Sequence, residues 1–152
     1  MSGSKKALLV TTVSGFVPQF EMNNVRLLQE RGYEVHYASN FDMPSYGDNN
    51  DRLKGTGIRC HQIAFAREPW NRKNMSAVRE LTALIRREGV HLLHCHTPMG
   101  AACARLAAAR ADLHNVIYTA HGFHFFDGAP KKNWLIYYPV EKFLSRYTDS
   151  LL

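Results

Sequence analysis

Three short segments carry the residues best suited to chemistry: Ser14-Gly15-Phe16, His94-Cys95-His96-Thr97-Pro98 and Thr119-Ala120-His121-Gly122-Phe123-His124. Each closes an apolar run that reads as a strand. In open α/β sheets, ligands bind outside the carboxyl ends of the strands, where the strand order reverses. Gly15 allows a sharp turn and a close approach of a ligand to the backbone, with Phe16 beside it. Thr97 followed by Pro98 matches a helix N-cap and a first-turn proline. The positive end of such a helix stabilises a phosphate or a developing oxyanion. His96 and His121 fall at the ends of strands that should be neighbours. Imidazoles there can hydrogen-bond a sugar hydroxyl or a phosphate and titrate near neutral pH. His94 lies deeper on the same strand face as His96 and suits a structural role. Gly122 and His124 complete the set of binding candidates. For each residue a plainer reading stays open, an ordinary turn glycine or a histidine bonded to a backbone carbonyl.

The run His91, His94, Cys95, His96 invites a zinc reading. Successive strand residues point to opposite faces, however, so the run does not converge on one ion. There is no H-E-x-x-H or C-x-x-C pattern. The first turn also lacks the glycine-rich dinucleotide fingerprint, and Ser39-Asn40 stands where a ribose-binding acid belongs. A Walker loop is absent too. The expectation is therefore no metal and no cofactor.

The elements that must position these residues alternate along the chain. Strands are expected over residues 7–13, 33–38, 58–65, 90–95 and 116–120, and residues 149–152 read as the start of a sixth. Helices are expected over 20–31, with Val25, Leu27 and Leu28 inward, over 74–88 capped by Asn74, over the Ala-rich 98–110, and over 133–146 around Pro139. Such alternation predicts one Rossmann-like α/β domain, a parallel sheet with helices on both faces. The polar stretch 40–57 reads as a loop. The loop 67–73 combines Arg67, Arg72 and Lys73 with Trp70, which suits a membrane interface or a lipid-linked acceptor as well as a plain solvated loop.

Composition narrows the class. The chain has 152 residues, 45% of them apolar and 21% charged. Those values fit one globular domain and exclude disorder. The three cysteines form no C-x-x-C pair, and no apolar run nears the length of a spanning helix, so the pattern reads as cytosolic. A net charge of +6 favours an anionic partner: a nucleotide sugar, a lipid pyrophosphate, an acidic membrane surface or nucleic acid.

At this point the residues carry a resemblance. Gly32-Tyr33-Glu34-Val35-His36, Asn74, His94-Cys95-His96-Thr97-Pro98 and Tyr118-Thr119-Ala120-His121-Gly122-Phe123-His124-Phe125-Phe126, together with the segment from Glu141-Lys142 to Asp149, resemble the N-terminal domain of family 4 glycosyltransferases, which adopt the GT-B fold. The chain is similar to bacterial capsule and exopolysaccharide transferases. The resemblance implies a retaining transferase that uses a nucleotide diphosphate sugar and needs no metal. It implies an acceptor-side domain that works with a C-terminal donor-binding domain not contained in this chain, and so an isolated chain that does not turn over. It places Gly15 near the diphosphate and His121 near the transferred sugar. The implied partners are a nucleotide sugar and a saccharide or lipid-linked acceptor, with peripheral contact at the inner face of the plasma membrane and no nucleic acid. Two other readings fit: a binding subunit that recruits a separate catalytic subunit, and an unrelated Rossmann-like nucleotide-binding protein.

Overall fold

Leu8, Leu9 and Val10 are fully buried, which a strand achieves only when both its faces and both its edges are covered. A computed structural model, describing residues 3–46, 50–123 and 125–152, shows how this happens. Six strands, β1 (Lys5–Val13), β2 (Tyr33–Asn40), β3 (Arg59–Gln62), β4 (Leu92–His96), β5 (Val116–Thr119) and β6 (Ser150–Leu151), form a parallel sheet in the order β3-β2-β1-β4-β5-β6. The chain runs outward from β1 to β3, then returns to lay β4 on the other side of β1. The switch point therefore lies between β1 and β4, and both end beside the first two candidate segments.

Alternation along β1 divides the core. Leu9 packs with Val17, Val25, Val35 and Tyr37 under α1 (Met22–Glu30). Leu8 and Val10 pack on the other face with Leu93 and Cys95, under α2 (Lys73–Glu88) and α3 (Pro98–Arg110). A fourth helix, α4 (Lys131–Leu144), lies beyond α3 and buries Leu144 alone.

Helix α3 sits very close to the sheet, as its buried Ala101, Ala104, Ala107 and Ala108 allow. The tightest point is Gly100. A Cβ there would lie 2.8 Å from the Thr12 nitrogen and 2.9 Å from the Thr11 carbonyl carbon. Neither atom is a flexible side-chain tip. We expect Gly100→Ala to destabilise the fold by about 2–3 kcal/mol, an overpacking cost that exceeds alanine's better helix propensity. Urea unfolding measures it. An unchanged midpoint would mean that α3 can retreat from β1.

The structure departs from the sequence expectations in several places. The helix expected over 20–31 is a wide π turn at Val17–Glu21 followed by α1. Leu27, expected inward, is 46% exposed. The apolar stripe runs through Val25 and Leu28, and a residue two positions from Val25 falls off it. Asn74 is not the cap of α2, which starts one residue earlier. Its amide instead accepts from Ala66 N–H and donates to the Glu68 carbonyl, tying down the incoming loop. The third strand is shorter than 58–65, and the polar stretch holds a short helical turn at Asn50–Leu53 that buries Leu53. The last helix starts at Lys131, continues through Pro139 and ends at Leu144, before a short turn at Ser145–Tyr147.

Candidate active site

His96 ends β4 and His121 follows β5, the next strand, so the two reach the same rim of the sheet. His96 Nδ1 and His121 Nε2 are 3.2 Å apart. His96 is fully buried while His121 is exposed. Phe16, buried after the β1 turn, packs against both rings, at 5.4 Å from His96 and 4.9 Å from His121 between centroids. His94 lies one pleat deeper, its ring 4.2 Å from that of His96, and its Nε2 is hydrogen-bonded to Thr119 Oγ1 at 2.7 Å.

The structure adds a residue that the sequence reading did not single out. Glu21 is buried, and its Oε2 faces His96 Nε2 at 3.8 Å. The π turn at Val17–Glu21 delivers it there; such turns recur at functional sites. A sequence signal was available. Glu21 lies four residues after Val17 and four before Val25, so a carboxylate interrupts an otherwise apolar stripe.

Thr97 starts α3 as expected, but its side chain does not cap that helix. Its Oγ1 accepts from Thr12 N–H at 2.9 Å and meets Thr12 Oγ1 at 2.8 Å, and Thr12 Oγ1 accepts from Gly100 N–H. The cap is thus supplied by β1. Thr97 is held at φ 65°, ψ 142°. That region is otherwise open to glycine alone, and such strain collects at functional sites. Of the first-turn amides, Pro98 has none to give and that of Gly100 is taken, which leaves this helix end less free for an anion than the sequence suggests.

Gly15 has little open space above it. A Cβ there would meet the Pro44 and Ser45 carbonyl oxygens at 2.1 and 2.4 Å, and Gly15 N–H donates to Pro44 O. Here the close approach is made by the protein's own 43–46 loop. Gly122 has φ 124°, directly after His121. That backbone favours glycine. His124 lies outside the described residues. Beside Thr97 a cavity of about 320 Å³ opens between Thr12, Val13, Tyr46, Arg67 and Met99. Arg67 brings a cation to its wall.

Burial governs the charge of the imidazoles. Burial, helped by neighbouring His121, pushes His94 down to about 4. Burial, then His94 and His121, pushes His96 down to about 3. Both rings are neutral in the fold near neutral pH, whereas the unfolded chain takes up protons below its ordinary histidine value. Their contribution is therefore complete above about pH 6.5 and is lost as pH falls, down to about pH 4 for His94 and about pH 3 for His96. We expect stability at pH 5 to be lower than at pH 7.5 by about 4 kcal/mol, about 2 from each ring. Urea unfolding across this range measures it, and His96→Gln should remove about half of the slope. A flat profile would show that these imidazoles are solvated.

Together, the doubly wound sheet and the cluster of imidazoles at the carboxyl ends of β4 and β5 define a Rossmann-like α/β domain. The chain belongs to the glycosyl transferase 4-like family, which matches residues 5–152. It is 41% identical over 152 residues to EpsD of Bacillus subtilis (strain 168), which is assigned as a glycosyltransferase; the match covers 98% of this chain and 37% of EpsD. It is 25% identical over 146 residues to the Escherichia coli UDP-Gal:alpha-D-GlcNAc-diphosphoundecaprenol alpha-1,3-galactosyltransferase, covering 95% of this chain and 36% of that enzyme. The chain thus spans little more than a third of the length of these relatives. Among solved structures, MurG of Acinetobacter baumannii superimposes on 97% of this chain and 40% of its own, with a TM-score of 0.64 at 17% identity. The shared fold is the Rossmann-like unit of GT-B glycosyltransferases.

Proposed function

We propose that this chain is the N-terminal, acceptor-side domain of a retaining glycosyltransferase that moves a sugar from a nucleotide diphosphate donor to a saccharide or lipid-linked acceptor in polysaccharide assembly. The observation that carries this reading is the placement of His96 and His121 at the β1–β4–β5 rim of a family member's sheet. His121 is the exposed member of the pair and so the group available to a bound sugar. Phe16 supports its ring, and Gly122 gives the backbone bend beyond it. Arg67 and the positive end of α3 bias the adjoining cavity toward an anion such as a diphosphate. In such a transfer the diphosphate leaves with its electron pair, so stabilising the charge that develops on it is the main task. The chemistry asks nothing of a metal or cofactor, and the donor-binding half would come from further chain, as the greater length of the relatives supports.

Among the described residues no helix is long and apolar enough to cross a membrane. Peripheral contact is supported by α4, which exposes Trp134, Leu135, Ile136, Val140 and Phe143 next to Lys131 and Lys132. Trp70, 79% exposed in its basic loop, supports it too. Such contact would bring a cytoplasmic enzyme to a lipid-linked acceptor.

The test is transfer from nucleotide diphosphate sugars to polyprenyl-diphosphate saccharides. The full-length protein should transfer, with the donor's anomeric configuration kept in the product, and residues 1–152 alone should not. Inversion in the product, or turnover by the isolated chain, would refute the reading.

A further inference from the structure

Glu21, His96 and His121 offer ligand atoms that all lie within 4.8 Å of one another. Such a trio is either a cage for a cation or a chain of hydrogen bonds, and the facing atoms separate the two. His121 Nε2 meets His96 at Nδ1, at 3.2 Å, while Glu21 Oε2 faces His96 at Nε2, at 3.8 Å. The lone pairs of these two ring nitrogens diverge in the ring plane. The short contacts therefore fall on different nitrogens of one imidazole, as the links of a hydrogen-bond chain do, whereas an ion would be bound through one of them. The geometry is that of a chain.

The open position in this chain is its buried end. Among the described residues, His96 Nε2 is the buried side-chain nitrogen or oxygen left without a hydrogen-bond partner. A buried polar atom left without its bond is destabilising, so a partner within reach is drawn to it. The group set before it is the Glu21 carboxylate, and a side-chain adjustment of about 1 Å brings the pair to bonding distance. The Asn24 amide donates to the same carboxylate oxygen and steers it.

A neutral imidazole carries one N–H. His96 is held neutral by its burial. With that proton on Nε2, toward the carboxylate, Nδ1 becomes an acceptor. His121 must then donate its own Nε2–H to it, and the lone pair of His121 is left on Nδ1.

We propose that Glu21, acting through His96, fixes His121 as the Nε2–H tautomer, so that His121 Nδ1 accepts a hydrogen bond from a sugar hydroxyl. This rests on the sugar-binding reading above. Glu21 and His96 are positioning residues, and His121 is the group that touches the substrate. Phe16, packed on both imidazoles, resists the ring flips that would scramble the chain.

The test is a two-bond ¹⁵N–¹H correlation on the full-length protein with ¹⁵N-labelled histidine at pH 7.5, where both His96 and His121 should show the Nε2–H form. In Glu21→Leu the His96 proton loses its acceptor and moves to Nδ1, and His121 should switch to its Nδ1–H form, with kcat falling at least tenfold. Glu21→Gln keeps an acceptor oxygen, and should keep the wild-type tautomers and most of the activity. An Nδ1–H form of either ring in the wild type, or unchanged tautomers in a folded Glu21→Leu, would overturn the proposal. So would Zn²⁺ at one equivalent shifting both rings in the wild type but not in Glu21→Gln, the mark of a cage. If Glu21→Leu does not fold, the wild-type tautomers and Glu21→Gln decide. The tautomers are read without turnover, so a protein with the expected tautomers and no transfer would refute the sugar-transfer reading and leave the hydrogen-bond chain standing.

Discussion

His121→Ala in the full-length protein should lower kcat on the order of a hundredfold, the scale of one lost preorganised contact to reacting groups. Its effect on folding should be much smaller. The side chain is exposed, and water can enter behind it to bond His96 Nδ1. The stability loss should therefore stay near about 1 kcal/mol, the net value of a hydrogen bond, whereas a hundredfold loss of rate is about 2.7 kcal/mol of transition-state stabilisation. Parallel measurement of kcat and urea midpoint separates the two. If the losses match, His121 is a structural residue and the crevice loses its principal group. His121→Gln sharpens the comparison, since it retains hydrogen-bonding capacity without an imidazole. A recovery of activity in Gln would assign His121 to hydrogen bonding rather than to proton transfer.

Much of this site could be read from the residues, for a definite reason. Successive parallel strands end at the same rim, so apolar runs closing on His96 and on His121 imply that the two side chains meet. Local rules also found the β1 run, the start of α3 at Pro98 and the small-residue face of α3. Where they fell short, an atom distant in sequence had taken the role. The space above Gly15 is filled by Pro44 and Ser45, which no local pattern places there. Thr97 has the residue type of a cap, yet Thr12, 85 residues away, competes for its hydroxyl and wins. Asn74 lost its capping role to a loop it was not expected to meet. Glu21 was legible in principle as a carboxylate within an apolar stripe. Seeing it required taking the helix back to Val17, across a π turn that propensity rules do not foresee.

Glu141→Ala should cost about 3–5 kcal/mol, the scale of stranding one member of a buried ion pair. Arg105 lies in α3 at 1% exposure, and its guanidinium donates to both Glu141 oxygens, from Nη1 at 3.0 Å and from Nη2 at 3.2 Å. Its Nε donates to the Ala101 carbonyl, and its plane lies 4.2 Å over the Tyr118 ring. These contacts hold the arginine where it is, so it cannot swing into water when the carboxylate goes. Burial also drives the phenol of Tyr118 up to about 12, so the ring under the guanidinium supplies no anion in place of Glu141. The pair matters beyond its own energy, because α4 buries Leu144 alone and the bidentate bond is what fastens this helix, with its exposed aromatic row, to α3. Arg105→Met should cost less than Glu141→Ala, since it removes the buried cation and leaves Glu141 near enough to the surface to hydrate. Combining Arg105→Met with Glu141→Ala should recover most of the Glu141→Ala loss. Denaturant unfolding of the four proteins closes a double-mutant cycle. A loss below about 1 kcal/mol in Glu141→Ala would mean that the guanidinium is solvated, and that α4 is held to the sheet by apolar contact rather than by charge.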